Sequence, residues 1–160
     1  MNYLEDMVVG TRHAFGRYEV TRDEVIEFAR KYDPQAFHLD DEAAARTHFG
    51  RLSASGWHTC AMTMRMLVDD MKTRDHAGLG SPGLDGLRWL RPVYPGDVLR
   101  VETELTEVRP SRSRPDMGSI HSDVTVFNQD EEPVMTMKSI GLMATRRPSP
   151  TSHRASAKTG

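Results

Sequence analysis

The stretch Gly56-Trp57-His58-Thr59-Cys60-Ala61-Met62-Thr63-Met64-Arg65-Met66-Leu67-Val68-Asp69-Asp70-Met71-Lys72 decides the fold. Trp57, Ala61, Met64, Val68 and Met71 recur at steps of four and three, which predicts a helix over 57–72 with that stripe as its apolar face. Cys60, Met62, Met66 and Leu67 widen the stripe well past one side. A helix that is apolar most of the way round has to be buried, and its simplest container is a curved sheet. The methionines read as packing rather than as a sulfur site, because an unbranched thioether fills irregular gaps in a core.

On the C-terminal side the period changes to two from Ser81 onward. Residues 84–91 read as a strand, and Tyr94-Pro95-Gly96-Asp97 as a turn built from the residues that turns favour. Leu99, Val101, Thr103 and Leu105 then face one way while Arg100, Glu102, Glu104 and Thr106 face the other, the alternation of a sheet covered on one side. Residues 120–128 and 134–145 are two more strands, joined by a turn at Asn128-Gln129-Asp130-Glu131. On the N-terminal side, 13–20 reads as a first strand. Thr21-Arg22-Asp23-Glu24 has the form of a capping box, and Val25, Phe28, Ala29 and Tyr32 follow at helical spacing, which predicts a helix over 22–32. Residues 39–46 form a short second helix with acids in its first turn, where the helix dipole favours them. One strand, then helices, then consecutive antiparallel strands is an α+β layout.

Between the first two helices lies Tyr32-Asp33-Pro34-Gln35-Ala36-Phe37-His38. Proline disfavours the helical conformation of the residue before it, so Asp33 is where the first helix stops. Asp33 and His38 then belong to a short irregular loop, which can bring two side chains to one point. Read on their own, an aspartate before proline and a histidine ahead of a helix more often make a turn and a cap than a reactive site.

Composition narrows the classes. With 21 Lys+Arg against 23 Asp+Glu, the balance gives no whole-chain case for nucleic acid or an anionic membrane. One cysteine, Cys60, cannot form an intrachain disulfide, which fits a reducing compartment. The acidic N-terminus is unlike a signal peptide, and no apolar run approaches the ~20 residues of a membrane helix. The expectation is a cytoplasmic protein with one domain over 1–146 and a disordered tail over 147–160, rich in Ser, Pro, Thr and Lys. The seven histidines and one cysteine give no metal-ligand spacing, so no metal is expected.

Asp33-x-Gln35-Ala36-x-His38 resembles the hydratase motif of the MaoC-like family of R-specific enoyl-CoA hydratases and dehydratases. In that motif Asp, any residue, Asn or Gln, Pro, an apolar residue and His follow one another; Ala36 stands where the family generally has proline. Ala54-Ser55-Gly56-Trp57-His58-Thr59, Leu90-Arg91-Pro92-Val93-Tyr94-Pro95-Gly96-Asp97 and the loop Pro110-Ser111-Arg112-Ser113-Arg114 are similar to the family as well, so the resemblance spans about residues 20–145. It implies a hotdog fold, an antiparallel sheet wrapped around a long central helix, assembled as at least a homodimer. It implies the reversible addition of water to a trans-2-enoyl thioester of coenzyme A or an acyl carrier protein, with no cofactor beyond the coenzyme A of the substrate. Asp33 and His38 would hold the water. The Gly56 N–H, at the start of the long helix, matches the family's position for the thioester oxygen, and a glycine lets a carbonyl approach the backbone closely.

The remaining candidates are weaker. Gln35 braces the loop. Trp57, Met62 and Trp89 are candidates for the acyl pocket. Arg112, in a proline-punctuated basic loop, competes with Arg88 and Arg91 for coenzyme A phosphates, which suit a guanidinium. His58 reads as core or interface packing, and neither Ser53 nor Ser55 lies in a nucleophile elbow. Two other function classes stand beside hydration. One is a hotdog thioesterase, which would need an acid on the central helix where only Asp69 and Asp70 are available. The other is a non-catalytic subunit that binds acyl thioesters, against which the presence of both Asp33 and His38 argues.

Overall fold

The computed structural model describes residues 1–146; the proposed tail over 147–160 lies outside the described residues. Five strands, β1 (Arg12–Glu19), β2 (Gly78–Trp89), β3 (Val98–Pro110), β4 (Met117–Phe127) and β5 (Pro133–Ala144), form one antiparallel sheet in the order β1-β3-β4-β5-β2. Three helices separate β1 from β2: α1 (Arg22–Tyr32), the short α2 (Asp41–Ala45) and α3 (Gly56–Thr73). The alternation read at 99–105 is real, since Leu99, Val101 and Leu105 are buried, and so on β4 are Val126, opposite Val101, and Val124, opposite Thr103. These residues, with Val134 and Met135 of β5, close onto Met62 and Met66 of α3. This is the hotdog arrangement, α+β, with the long helix held by the sheet.

The long helix is where the sequence predicts it, but it is turned. His58, Thr59, Met62, Thr63 and Met66 are the buried residues of α3, whereas Trp57, Ala61, Met64 and Met71 are exposed and Val68 is half-buried. Apolar side chains on both sides left the rotation undetermined by hydrophobicity. Thr63 can face inward because its hydroxyl donates to Thr59 O at 2.8 Å, so no polar group is stranded. Met66 faces inward against Gly16 of β1, where an added Cβ would lie 2.6 Å from the Met66 sulfur. The stripe expected inside is therefore an apolar stripe on the outside.

One strand boundary and one capping contact differ from expectation. β2 begins at Gly78, earlier than residue 84, and ends at Trp89. Its first half is glycine-rich, shifts register twice against β5 and is exposed, so no alternating pattern marks it. Thr21 does cap α1, accepting from Glu24 N at 3.3 Å, but the reciprocal half of the capping box does not form. The Glu24 carboxylate is taken instead by the Tyr18 hydroxyl and by His58 Nε2. The turn at 94–97 forms as expected, with Asp97 Oδ2 accepting from Tyr94 N at 2.9 Å.

Candidate active site

Pro34 ends α1 as the sequence requires. Asp33 has left the helix (φ −149°, ψ 68°), while its N–H still closes the last turn onto Ala29 O at 2.9 Å. Gln35 N–H then bonds Asp33 O at 2.8 Å, and a single 3-10 turn, Ala36–His38, follows. Alanine in place of the family's proline still forms that turn. The reversal brings His38 Nε2 to 3.5 Å from Asp33 Oδ2. His38 is buried and Asp33 nearly so.

Every other polar atom of the pair is tied down. Gln35 Nε2 donates to Asp33 Oδ1 at 2.7 Å, and Ser55 Oγ donates to Asp33 Oδ2 at 2.7 Å. His38 Nδ1 lies 2.7 Å from Ser53 O. A carbonyl only accepts, so Nδ1 carries the proton, and in the neutral ring Nε2 keeps its lone pair on the Asp33 side. Burial pushes the Asp33 carboxyl up, but the hydrogen bonds from Gln35 and Ser55 and the nearby imidazole outweigh it and hold the group below its usual range. The site thus presents an ionised carboxylate beside an imidazole nitrogen able to take a proton.

The third part is the start of α3. Ser55 is its N-cap, accepting from Trp57 N at 3.3 Å. The Gly56 N–H has no protein acceptor among the described residues. Such first-turn donors, with the helix dipole behind them, stabilise negative charge that develops on a nearby oxygen. The need for glycine has a different cause from the one expected. A Cβ on Gly56 would sit 2.4 Å from Trp89 Cε2, and Trp89 Nε1 donates to Gly56 O at 3.0 Å. An indole, not open space for a carbonyl, occupies the side where the Cβ would be.

The MaoC like domain family model matches residues 7–126. The chain belongs to the MaoC-like domain family. A crystal structure of a MaoC-like dehydratase from Rhodospirillum rubrum superposes with a TM-score of 0.82 at 40% identity, covering 92% of this chain and 99% of that one. An unliganded R-hydratase from Pseudomonas aeruginosa gives a TM-score of 0.66 at 25% identity over 91% of this chain and 86% of its own. A 3-hydroxybutyryl-CoA dehydratase of Methylorubrum extorquens is 32% identical over 117 residues, 70% of this chain and 69% of that protein.

The other predicted residues of this MaoC-like chain fall in three places. Gln35 touches the dyad, as above. Trp57, Arg88 and Arg91 lie at the Gly56 end of the sheet: Trp57 is exposed and meets Trp89 edge-on at 5.4 Å, Arg88 is exposed on β2, and Arg91 pairs with Glu132 at 2.9 Å. Arg112 sits in the β3–β4 hairpin at the opposite end, beyond Gly118 and Met143, so one chain alone does not bring it to Asp33. The acids of α3 are also distant. Asp69 lies roughly 20 Å along the helix from Gly56 and is bonded by Arg65, while Asp70 is held by Arg74.

Sequence reading missed Ser53 and Ser55. Ser53 acts through its carbonyl, which no side-chain pattern reveals. Ser55 had a signal, a serine directly before the glycine that opens a helix, which is the place of an N-cap. His58 is buried and packed, stacked on Phe28 with ring centroids 4.7 Å apart, and it also bonds Glu24 at 3.1 Å. It lines a surface groove of about 360 Å³ between β1, α1 and α3, with Tyr18, Glu24, Tyr32 and Ala61 among the walls.

Proposed function

We propose that this chain is an acyl-thioester hydratase and dehydratase, adding water reversibly to a trans-2-enoyl thioester of coenzyme A or an acyl carrier protein. The observation that carries it is the approach of His38 Nε2 to Asp33 Oδ2, 3.5 Å, with the Gly56 N–H at the start of α3 left without a protein acceptor among the described residues. A water between the two side chains gives one hydrogen to each. As its oxygen bonds to C3, His38 Nε2 takes a proton and the C2=C3 electrons move toward the thioester oxygen, where the Gly56 N–H stabilises the charge. The imidazolium, offset by ionised Asp33, then delivers its proton to C2. The sum is one water added across one double bond, redox-neutral, so no cofactor beyond the substrate's own coenzyme A or carrier is required.

The test follows loss of enoyl absorbance with crotonyl-CoA and a longer trans-2-enoyl-CoA, wild type beside Asp33→Asn, with circular dichroism confirming the fold. Wild-type turnover that falls by about 10²-fold or more in the variant supports the reading. Turnover surviving in Asp33→Asn places the chemistry elsewhere.

The assembly that suits this function is a homodimer through β2. This strand is a long sheet edge with Leu79, Leu84 and Trp89 exposed, Trp89 meeting the exposed Trp57 of α3. Two copies of one edge meet around a twofold axis, antiparallel. The Gly78 end of one β2 then lies at the Trp89 end of the other, which moves the β3–β4 hairpin of the second copy to the Gly56 end. At strand spacings of about 4.8 Å, Arg112 of the second copy comes within roughly 15–20 Å of the β2 edge, where coenzyme A phosphates can meet it.

A further inference from the structure

We propose that Ser55 is a positioning residue of this acid–base site, tying Asp33 to the start of α3 so that the carboxylate and the Gly56 N–H keep a fixed separation. The inference rests on the hydration reading of Asp33 and His38. Ser55 is fully buried, and its hydroxyl has a single proton to give. A capping serine needs only its lone pair, which here accepts from Trp57 N at 3.3 Å. The proton goes to another element, to Asp33 Oδ2, in the shorter bond of the two at 2.7 Å.

That bond falls on the oxygen that faces His38. Gln35 alone would hold Asp33 by Oδ1 and leave the carboxylate free to turn about one contact. With Ser55 on Oδ2 as well, both oxygens are gripped and the group is clamped. Ser55 and Gly56 are consecutive, so a single peptide unit sets the distance between the group acting at C3 and the donor at the thioester oxygen on C1. In the substrate these positions are two bonds apart, and misplacement by about 1 Å costs about 10²-fold in rate. The N–H of Trp57 also polarises the Ser55 hydroxyl, strengthening its donation to Asp33.

The experiment compares Ser55→Ala, Ser55→Gly and Ser55→Thr in hydration kinetics across pH, and follows the Asp33 carboxyl by carbon NMR in the same proteins. Glycine keeps much of the capping preference without a hydroxyl, and threonine restores the hydroxyl. We expect kcat to fall about 10- to 100-fold in both Ala and Gly variants, with KM nearly unchanged. Asp33 should titrate at a higher pH in both, and threonine should recover most of the loss. Loss in Ala but not in Gly reduces Ser55 to a helix cap and overturns the proposal. So does an Asp33 titration that stays in place whatever happens to the rate. Should Ser55→Ala fail to fold, the Gly and Thr variants decide between the same outcomes. A wild type inactive on every enoyl thioester sinks the hydratase reading alone, because the Asp33 titration still reports whether Ser55 grips it.

Discussion

Gly56→Ala probes the contact that joins α3 to the end of β2. The new methyl would lie 2.4, 2.7 and 2.8 Å from Trp89 Cε2, Cδ2 and Nε1. Carbon atoms settle at about 3.5–4.0 Å, so the indole has to retreat by roughly 1 Å. Trp89 is 46% exposed and can move outward. The movement breaks its bond to Gly56 O and disturbs its edge contact with Trp57. The bond is worth about 0.5–1.5 kcal/mol, and the aromatic contact about as much. Against these, alanine gains about 0.5–1 kcal/mol over glycine in a helix. The net expectation is a loss of about 0.5–2 kcal/mol, measured by urea unfolding at one fixed protein concentration. The same substitution made on a Trp89→Ala background should be neutral or slightly stabilising, a coupling that a double-mutant cycle reads directly. An equal cost in both backgrounds would refute the account.

Other consequences are open to measurement. His38→Ala should lose turnover by about 10²-fold or more while the sheet persists in circular dichroism; near-normal hydration would remove His38 from the reaction. Leu84→Asp on the exposed β2 edge should halve the mass seen by light scattering, and an unchanged mass would move the dimer contact elsewhere. The Glu24–His58 pair predicts how stability depends on pH. Burial drives His58 below its usual 6.5 against the pull of Glu24. For Glu24, burial raises the carboxyl, but the Tyr18 and His58 bonds prevail and bring it below 4.5. Both groups bind protons more readily in the unfolded chain, so both contributions are present at high pH and lost as pH falls. Wild-type Tm should decline as pH passes below about 6.5 and again below about 4.5. In His58→Phe the first decline should shrink; superimposable Tm–pH curves would contradict this.

How legible was the molecule in its sequence? Elements whose limits are set by backbone chemistry were readable nearly to the residue: Thr21 and Pro34 bracket α1, and Tyr94 to Asp97 make their turn. That Asp33 and His38 could meet was readable because their loop is local and opened by proline, while the chemistry expected of them came from the motif's resemblance to the family. What failed was information held between distant segments. The rotation of α3 depends on Gly16 meeting Met66, and the cause of Gly56 on Trp89 arriving from β2. Glu24 looked like a local cap until Tyr18 and His58 claimed its carboxylate. Ser55 could have been found as a cap, but its proton's destination, Asp33, lies across a fold that spacing does not describe.

The strand order has a consequence for how the chain is made. Among the described residues β1 pairs only with β3, Phe15 opposite Val101, and β2 only with β5, Trp89 opposite Met135. Neither edge can dock until the β3-β4-β5 meander exists, and that meander is built from the last third of the described residues. At about 5–20 residues per second on a ribosome, β1 waits on the order of 5–15 s for its neighbour. During that interval α3, apolar on both sides, has no sheet to lie against. Such long-range pairing puts folding in the slow, millisecond-to-second class. The newborn N-terminal half is therefore where chaperone binding should concentrate, and ribosome-stalled chains ending before β3 should be the ones captured.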